Sequence, residues 1–299
     1  MLEKLHQYAL LMRLDKPVGI YLLLFPTLSA IWMAQIYNGH VQLSTVIIFT
    51  LGCILTRSLG CVINDYFDKD FDKYVLRTSN RPLVINPKLH KEALYLCIFL
   101  LLISALLVII FLNLKTFILA IISALIAVTY PLFKRFFSTP QAYLGIAFSM
   151  GIPMGFTAQN IPINWIMYLL LIANIFLVFA YDTIYAMVDK NDDLKIKLKT
   201  SAIFLGKYDI LVIAVCYLIY LIITGFIGWF FKADRVFWLV YFVMLAKILL
   251  DLYKIKDRLI DKCFAVFKSN QYNVILNFIC YLLLFSNIHN KIIFIDDII

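Results

Sequence analysis

The stretch "LSTVIIFTLGCILTRSLGCVINDYFDKDFDK" occupies residues 43–73 and changes character partway along. From Leu43 to Ile63 it is apolar apart from Arg57 and a few hydroxyls; from Asn64 it carries Asp65, Asp68, Asp70 and Asp72. A transmembrane helix needs about 20 apolar residues, and the first part supplies them. If that helix continues past Asn64, then Asp65, Asp68 and Asp72 sit at i, i+3 and i+7 on one face, with Arg57, Cys61 and Asn64 before them on nearly the same face. Asp70 points elsewhere. A membrane crossing that ends in a file of acids is what the rest of the chain has to accommodate.

Further apolar runs lie near 18–36, 92–112, 116–133, 140–158, 163–181, 208–231, 236–252 and 272–288, making nine with 43–63. The composition agrees: 63% of the 299 residues are hydrophobic and 15% charged, against about 25% charged in soluble domains. The expected fold is all-α, a polytopic membrane bundle of about nine transmembrane helices with a polar cap on its cytoplasmic side. The opening "MLEKLHQYALLMRLDKP" has mixed charge and no small-residue cleavage site follows the first span, so that span reads as permanent structure. No linker or low-complexity stretch interrupts the chain, which reads as one integral membrane domain over 1–299.

The net charge of +9 is distributed by topology. The N-terminal segment and the segments after spans 2, 4, 6 and 8 hold 21 Lys and Arg; the opposite segments hold 4, namely Lys115, Lys232, Arg235 and Lys291. Arg57 and Lys247 lie inside spans. That alternation fits nine crossings with the N-terminus and both acid-rich loops cytoplasmic. It also accounts for the basicity without a nucleic-acid partner. The six cysteines form no C-x-x-C pair and the four histidines no ligand spacing, so neither a zinc site nor a disulfide framework is signalled.

A second acid-rich loop follows span 6: "YDTIYAMVDKNDDLKIKLKTS", residues 181–201. Four crossings separate the two loops, so both fall on one side. Asp182, Asp189 and Asp193 stand at i, i+7 and i+11, again one helical face, while Asp192 points elsewhere. Carboxylates at i, i+4, as at 68/72 and 189/193, repel unless a cation lies between them. Open oxygen-rich sites shared with substrate phosphates suit Mg2+. Two such ions with a diphosphate would balance the four acids, and Arg77, Arg81, Lys195 and Lys199 are candidates for the remaining phosphate oxygens. A solvated charged loop explains one such stretch more easily than two matched ones. A calcium loop would need Gly and Glu where Lys73 and Ser79 stand. An ion pathway would put charge at mid-membrane rather than at the edge.

The motifs "NDYFDKDFD" (64–72) and "DKNDD" (189–193) resemble the paired aspartate motifs of the UbiA superfamily of membrane prenyltransferases. "MRLDKPVGIYLLLFPTLSAIW" (12–32), "RTSNRPL" (77–83), "YPLFKR" (130–135) and "YDTIYAMVDKNDDLKI" (181–196) are similar to its 4-hydroxybenzoate polyprenyltransferase branch. The resemblance runs from about residue 12 to residue 207; the last third matches only as hydrophobic spans. It departs after Leu83, where Val84, Ile85 and Asn86 replace a small-residue turn, and at Lys197, where Gly is usual.

The resemblance implies Mg2+-dependent transfer of a polyprenyl group from polyprenyl diphosphate to the ring carbon ortho to the hydroxyl of 4-hydroxybenzoate. This is a membrane step of ubiquinone synthesis, placed in the bacterial inner membrane. It implies metal ligation by Asn64, Asp68 and Asp72 for one ion and Asp189 and Asp193 for the other, with Asp65 and Asp182 as further ligands or supports. Tyr130, Tyr181 and Tyr185 are candidates to face an allylic cation. Arg135 is the first candidate for the acceptor carboxylate and Arg13 the second, with Lys134 for the diphosphate. For Arg57, pairing with an acid of its own loop and substrate contact stand equal. Another aromatic acceptor is the nearest rival. A cation-coupled carrier is the rival from a different class, and it should show mid-span charges and broken helices.

Overall fold

The computed structural model describes residues 2–39, 42–74, 78–195 and 197–296, without the side chains at 2–3, 131–132, 134–135 and 289–296. The described residues are helical throughout their regular structure. The helices are α1 (Leu2–Leu11), α2 (Val18–Asn38), α3 (Leu43–Asp72), α4 (Pro82–Ile85), α5 (Leu89–Phe111), α6 (Leu114–Phe136), α7 (Pro140–Ser149), α8 (Gly151–Ala158), α9 (Trp165–Lys195), α10 (Ser201–Leu205), α11 (Asp209–Phe230), α12 (Arg235–Ile255) and α13 (Ile260–Asp296). In hydrocarbon every backbone group must be satisfied within its own segment, so helices are the only open choice for such runs.

Seven helical segments are long and apolar enough to cross a membrane: α2, α3, α5, α9, α11 with α10 ahead of it, α12 and α13. Helix α6 is apolar from Leu114 to Tyr130. The chain is an integral membrane protein of the expected all-helical class. The fifth expected span differs. It is two helices of ten and eight residues that meet at Met150. The reason is Pro153, which has no N–H to donate to the carbonyl of Ser149, the last residue of α7, and whose ring crowds that carbonyl; the second helix also packs closely on α2, where a Cβ at Gly151 would collide with the Thr27 side chain and one at Gly155 would come 3.1 Å from Ile31. Gly151→Val is therefore expected to destabilise the fold by about 1–3 kcal/mol through overpacking. Thermal unfolding in detergent checks this.

Helices α2 and α9 are the most buried, and α9 packs against α11, α13 and α7. Helix α13 also packs along α2, so the last crossing closes onto the first. The outer helix α5 leaves Ile98, Phe99, Leu102, Ile109 and Ile110 exposed, a surface for lipid tails. Polar side chains inside the bundle pair between helices: Asn174 donates to Ser149 Oγ (2.9 Å), Asn277 to Thr224 Oγ1 (3.0 Å) and Tyr217 to Asn270 Oδ1 (2.9 Å). Such bonds each contribute about 0.6 kcal/mol on average in membrane helices, and they fix the register of the helices around α9.

Two features of the fold position the acids. Helix α3 runs unbroken through Asp72, and α9, expected to leave the membrane near 181, continues to Lys195. Each acid motif is thus the last turns of a transmembrane helix rather than a loop. Short helices α4 and α10 follow, one after each motif. Thr200 caps α10 by accepting from the Ile203 amide.

Candidate active site

At the end of α3 the acids are gathered by arginines. Arg13, in the turn after α1, donates through Nη2 to both oxygens of Asp65 (2.8 and 3.1 Å). Arg81, at the start of α4, bridges Asp65 (3.0 Å) and Asp72 (2.6 Å). Asp65 and Asp72 are buried, and Asp68 lies within electrostatic range of Asp72. Thr78 closes the turn by donating to the Asp72 carbonyl (2.9 Å). The three acids expected on one face are together, with Asp65 and Asp72 held by arginine and Asp68 between them in sequence.

Arg13 and Arg81, read from the sequence as substrate contacts, are engaged with these carboxylates. Arg77 lies outside the described residues, as do the side chains of Lys134 and Arg135. Removing the Arg81 guanidinium leaves the buried Asp72 carboxylate without its ion partner. Arg81→Ala is expected to cost about 3 kcal/mol, read as a lower melting temperature. Arg81→Lys should recover much of the loss, because the one Nη1 atom touches both carboxylates and a single ammonium can stand in for it.

At the end of α9, Asp182 and Asp193 are buried and Asp189 is half-buried. Asp192 faces away and pairs with Lys195 (3.0 Å). Lys199 donates to the Phe136 carbonyl at the end of α6 (3.1 Å). Gln141, at the start of α7, accepts from the Ser201 amide (2.9 Å), and the Ser201 hydroxyl meets Thr183 on α9 (2.8 Å). These bonds fasten the segment after the second motif to α6, α7 and α9. Tyr185 lies against Phe267 of α13, ring centroids 4.4 Å apart, and Tyr130 at the α6 end is half-buried.

Below the acid motifs, Arg57 of α3 lies within electrostatic range of the Tyr181 hydroxyl of α9. Arg57 of α3 fills the space left by Gly19 on α2, where a Cβ would strike the guanidinium, and stands over the Phe148 ring at 5.4 Å. Its Nε is buried with no hydrogen-bond partner among the described residues, and so is the Tyr181 hydroxyl of α9. Arg57, Asp182 and Tyr130 all lie within electrostatic range of that hydroxyl. At 1.5 Å per residue, Asn64 stands about 10 Å above Arg57 along its helix and Asp189 about 12 Å above Tyr181. By the crossing count expected from the sequence, α3 and α9 run in the same direction, which would put both acid motifs on one side of the bundle.

Sequence reasoning missed three of these features: Gln141 as an anchor, the unpartnered Arg57–Tyr181 level, and an ion cluster of Asp209, Arg258 and Lys190. Asp209 is fully buried and takes three hydrogen bonds from Arg258; those bonds raise the Arg258 pKa further above its ordinary value. In the sequence Arg258 looks like any other cytoplasmic-side cation.

The donor set suits a hard divalent ion. Each motif offers carboxylate oxygens, and Asn64 adds an amide oxygen. Among the described residues no three His, Cys, Asp or Glu side chains form a ready-made metal cage. Two carboxylates per motif leave coordination positions for water and for phosphate oxygens, which is how Mg2+ is usually held.

Residues 23–278 match the model of the UbiA prenyltransferase family. A 4-hydroxybenzoate octaprenyltransferase of Janthinobacterium sp. (strain Marseille) is 47% identical over 91% of this chain and 94% of its own length. One from Cupriavidus pinatubonensis is 46% identical over 91% and 94%. Among solved structures, a UbiA homolog from Aeropyrum pernix K1 superposes with a TM-score of 0.75 at 20% identity, over 87% of this chain and 96% of that one. A UbiA homolog from Archaeoglobus fulgidus bound to GPP and Mg2+ superposes with a TM-score of 0.69 at 20% identity, over 94% and 99%.

Proposed function

The chain belongs to the UbiA prenyltransferase family, and from that premise we propose that it transfers a polyprenyl group from polyprenyl diphosphate to the carbon ortho to the hydroxyl of 4-hydroxybenzoate, as a step of ubiquinone synthesis. The carrying observation is the stacking of two levels: unpartnered Arg57 Nε and Tyr181 hydroxyl below, acid-bearing ends of α3 and α9 above. An acceptor ring with its anionic end at Arg57 would turn its reactive carbon toward the acid motifs.

Asp68 and Asp72 with Asn64, and Asp189 with Asp193, would hold Mg2+ against the diphosphate; Asp65 and Asp182 support them. When bound, the metal neutralises charge that develops on the leaving diphosphate. Arg13 and Arg81 hold Asp65 and Asp72 in place, so the acid face needs no rearrangement when the diphosphate arrives. Arg57 pairs with the acceptor carboxylate, supported by the Phe148 face. This assigns to Arg57 the role for which Arg135 and Arg13 stood first in the sequence; Arg13 is committed to Asp65. Tyr181 donates to the acceptor, and Tyr130 and Tyr185 offer π-faces to positive charge at the allylic carbon. The caps α4 and α10 limit the access of water, which would otherwise capture that cation.

The orientation supported by the charge alternation puts both motifs in the cytoplasm, in the inner membrane of a bacterium. The carrier alternative loses ground at Lys247, a mid-span cation that pairs with Asp251 on its own helix (2.6 Å). The test is an assay of membranes containing the protein with radiolabelled 4-hydroxybenzoate, octaprenyl diphosphate and Mg2+. A labelled lipid-soluble product, lost on addition of EDTA and restored by excess Mg2+, supports the reading. No product beside an active control enzyme overturns the acceptor assignment.

A further inference from the structure

Asp209 opens α11 with no solvent exposure, yet two segments send cations to it. Arg258, in the turn between α12 and α13 with φ 55°, donates from Nε to both carboxylate oxygens (3.1 Å each) and from Nη2 to Oδ1 (2.6 Å). The same Nη2 also reaches the Lys207 carbonyl (3.1 Å). Lys190 of α9 places its Nζ 3.9 Å from Oδ2.

Lys190 sits inside the second acid motif, directly after Asp189 and three residues before Asp193. On a helix residues three apart are neighbours, so an ammonium at 190 is within reach of the Asp193 carboxylate. An ammonium turned onto Asp193 would compete with a divalent ion for the same oxygens. We propose that the buried Asp209–Arg258 pair is a positioning device for the second aspartate motif, which holds the Lys190 ammonium off the metal-binding face. This rests on the reading of Asp189 and Asp193 as metal ligands. Arg258 makes the device possible: a buried carboxylate is tolerated when its lone pairs are filled by a bidentate guanidinium, and that leaves Oδ2 set at a fixed place for Lys190. The C-terminal third, which lies outside both aspartate motifs, thereby acts on the chemistry at the end of α9.

The test is epistasis in metal binding, read without turnover. Full-length protein in lipid nanodiscs is titrated with Mn2+ alone, and bound ion is followed by electron paramagnetic resonance. Asp209→Asn should weaken the Mn2+ site that Asp189→Ala abolishes by about fivefold or more, the size expected when an ion pair is rebuilt beside a dication. Lys190→Met should bind as the natural protein does, and Asp209→Asn with Lys190→Met should return to within about twofold of it, since the competing charge is gone. The Mg2+ concentration for half-maximal activity should move in parallel while the acceptor KM stays unchanged. A pair that only holds helices together would lower melting temperature and active fraction without that shift and without rescue by Lys190→Met. Should Asp209→Asn fail to fold, the swapped pair Asp209→Arg with Arg258→Asp keeps an ion pair but repels Lys190, and it should show the same weakened site. Unchanged Mn2+ binding in Asp209→Asn or in the swapped pair, or a double variant as weak as Asp209→Asn, overturns the device. Absence of any Mn2+ site sensitive to Asp189→Ala overturns the metal reading itself and the device with it.

Discussion

Asp68→Ala and Asp189→Ala are each expected to lower prenyl transfer by about a thousandfold or more, the scale set by removing a fixed charge that neutralises a developing anion. Either loss alone should suffice. The diphosphate has to be clasped from two sides, and each motif brings only two carboxylates to the task. Asp68 and Asp189 are partly exposed side chains near helix ends, so both variants should fold and insert with melting temperatures near that of the natural protein. Near-normal rates in either, measured with saturating Mg2+ and both substrates, would remove that residue from the metal set.

Arg57→Ala is expected to act on the other substrate. A hydrogen bond to a charged group contributes about 1.5–3 kcal/mol, so kcat/KM for 4-hydroxybenzoate should fall by about 10- to 150-fold. The KM for polyprenyl diphosphate should stay within about twofold, since that ligand is held at the upper level. Arg57→Lys should recover part of the loss by keeping the charge. Gly19→Val should imitate Arg57→Ala without touching the arginine, because a Cβ there takes the space of the guanidinium. A rise in the diphosphate KM instead would place Arg57 with the leaving group and return the acceptor role to Arg135.

Much of this was legible in the chain. Apolar length locates the crossings, because a bilayer demands about 20 residues and little else. The helical spacing of Asp65, Asp68 and Asp72 was readable because α3 does continue, as does α9 past Tyr181 to Lys195. What periodicity hides is who pairs with whom. Arg13 and Arg81 look like two more cytoplasmic-side cations, and only the packing of the turn after α1 and of α4 against the α3 end brings them onto Asp65 and Asp72. The break at Met150 had a local signal: residues 140–158 are apolar throughout, but Pro153 leaves the Ser149 carbonyl without its helical donor. What stayed hidden is the close approach at Gly151, which comes from Thr27, over a hundred residues earlier. Arg57 had equal readings because a half-buried arginine whose buried Nε has no partner among the described residues is a property of its surroundings, Gly19, Phe148 and Tyr181, rather than of its own helix. Asp209 and Arg258 lie inside the family match of residues 23–278 but outside the motifs read from the sequence, so no motif marked them.

The central claim is that Asp68 and Asp189, far apart in the chain, face a common diphosphate across one cleft. Anomalous diffraction from crystals grown with Mn2+ and a non-reactive thio-analogue of a prenyl diphosphate tests it directly. The account predicts two metal peaks on one diphosphate, the first within ligand distance of Asp68 and the second of Asp189. Metal at only one motif, or Asp68 and Asp189 opening onto unconnected surfaces, would contradict it.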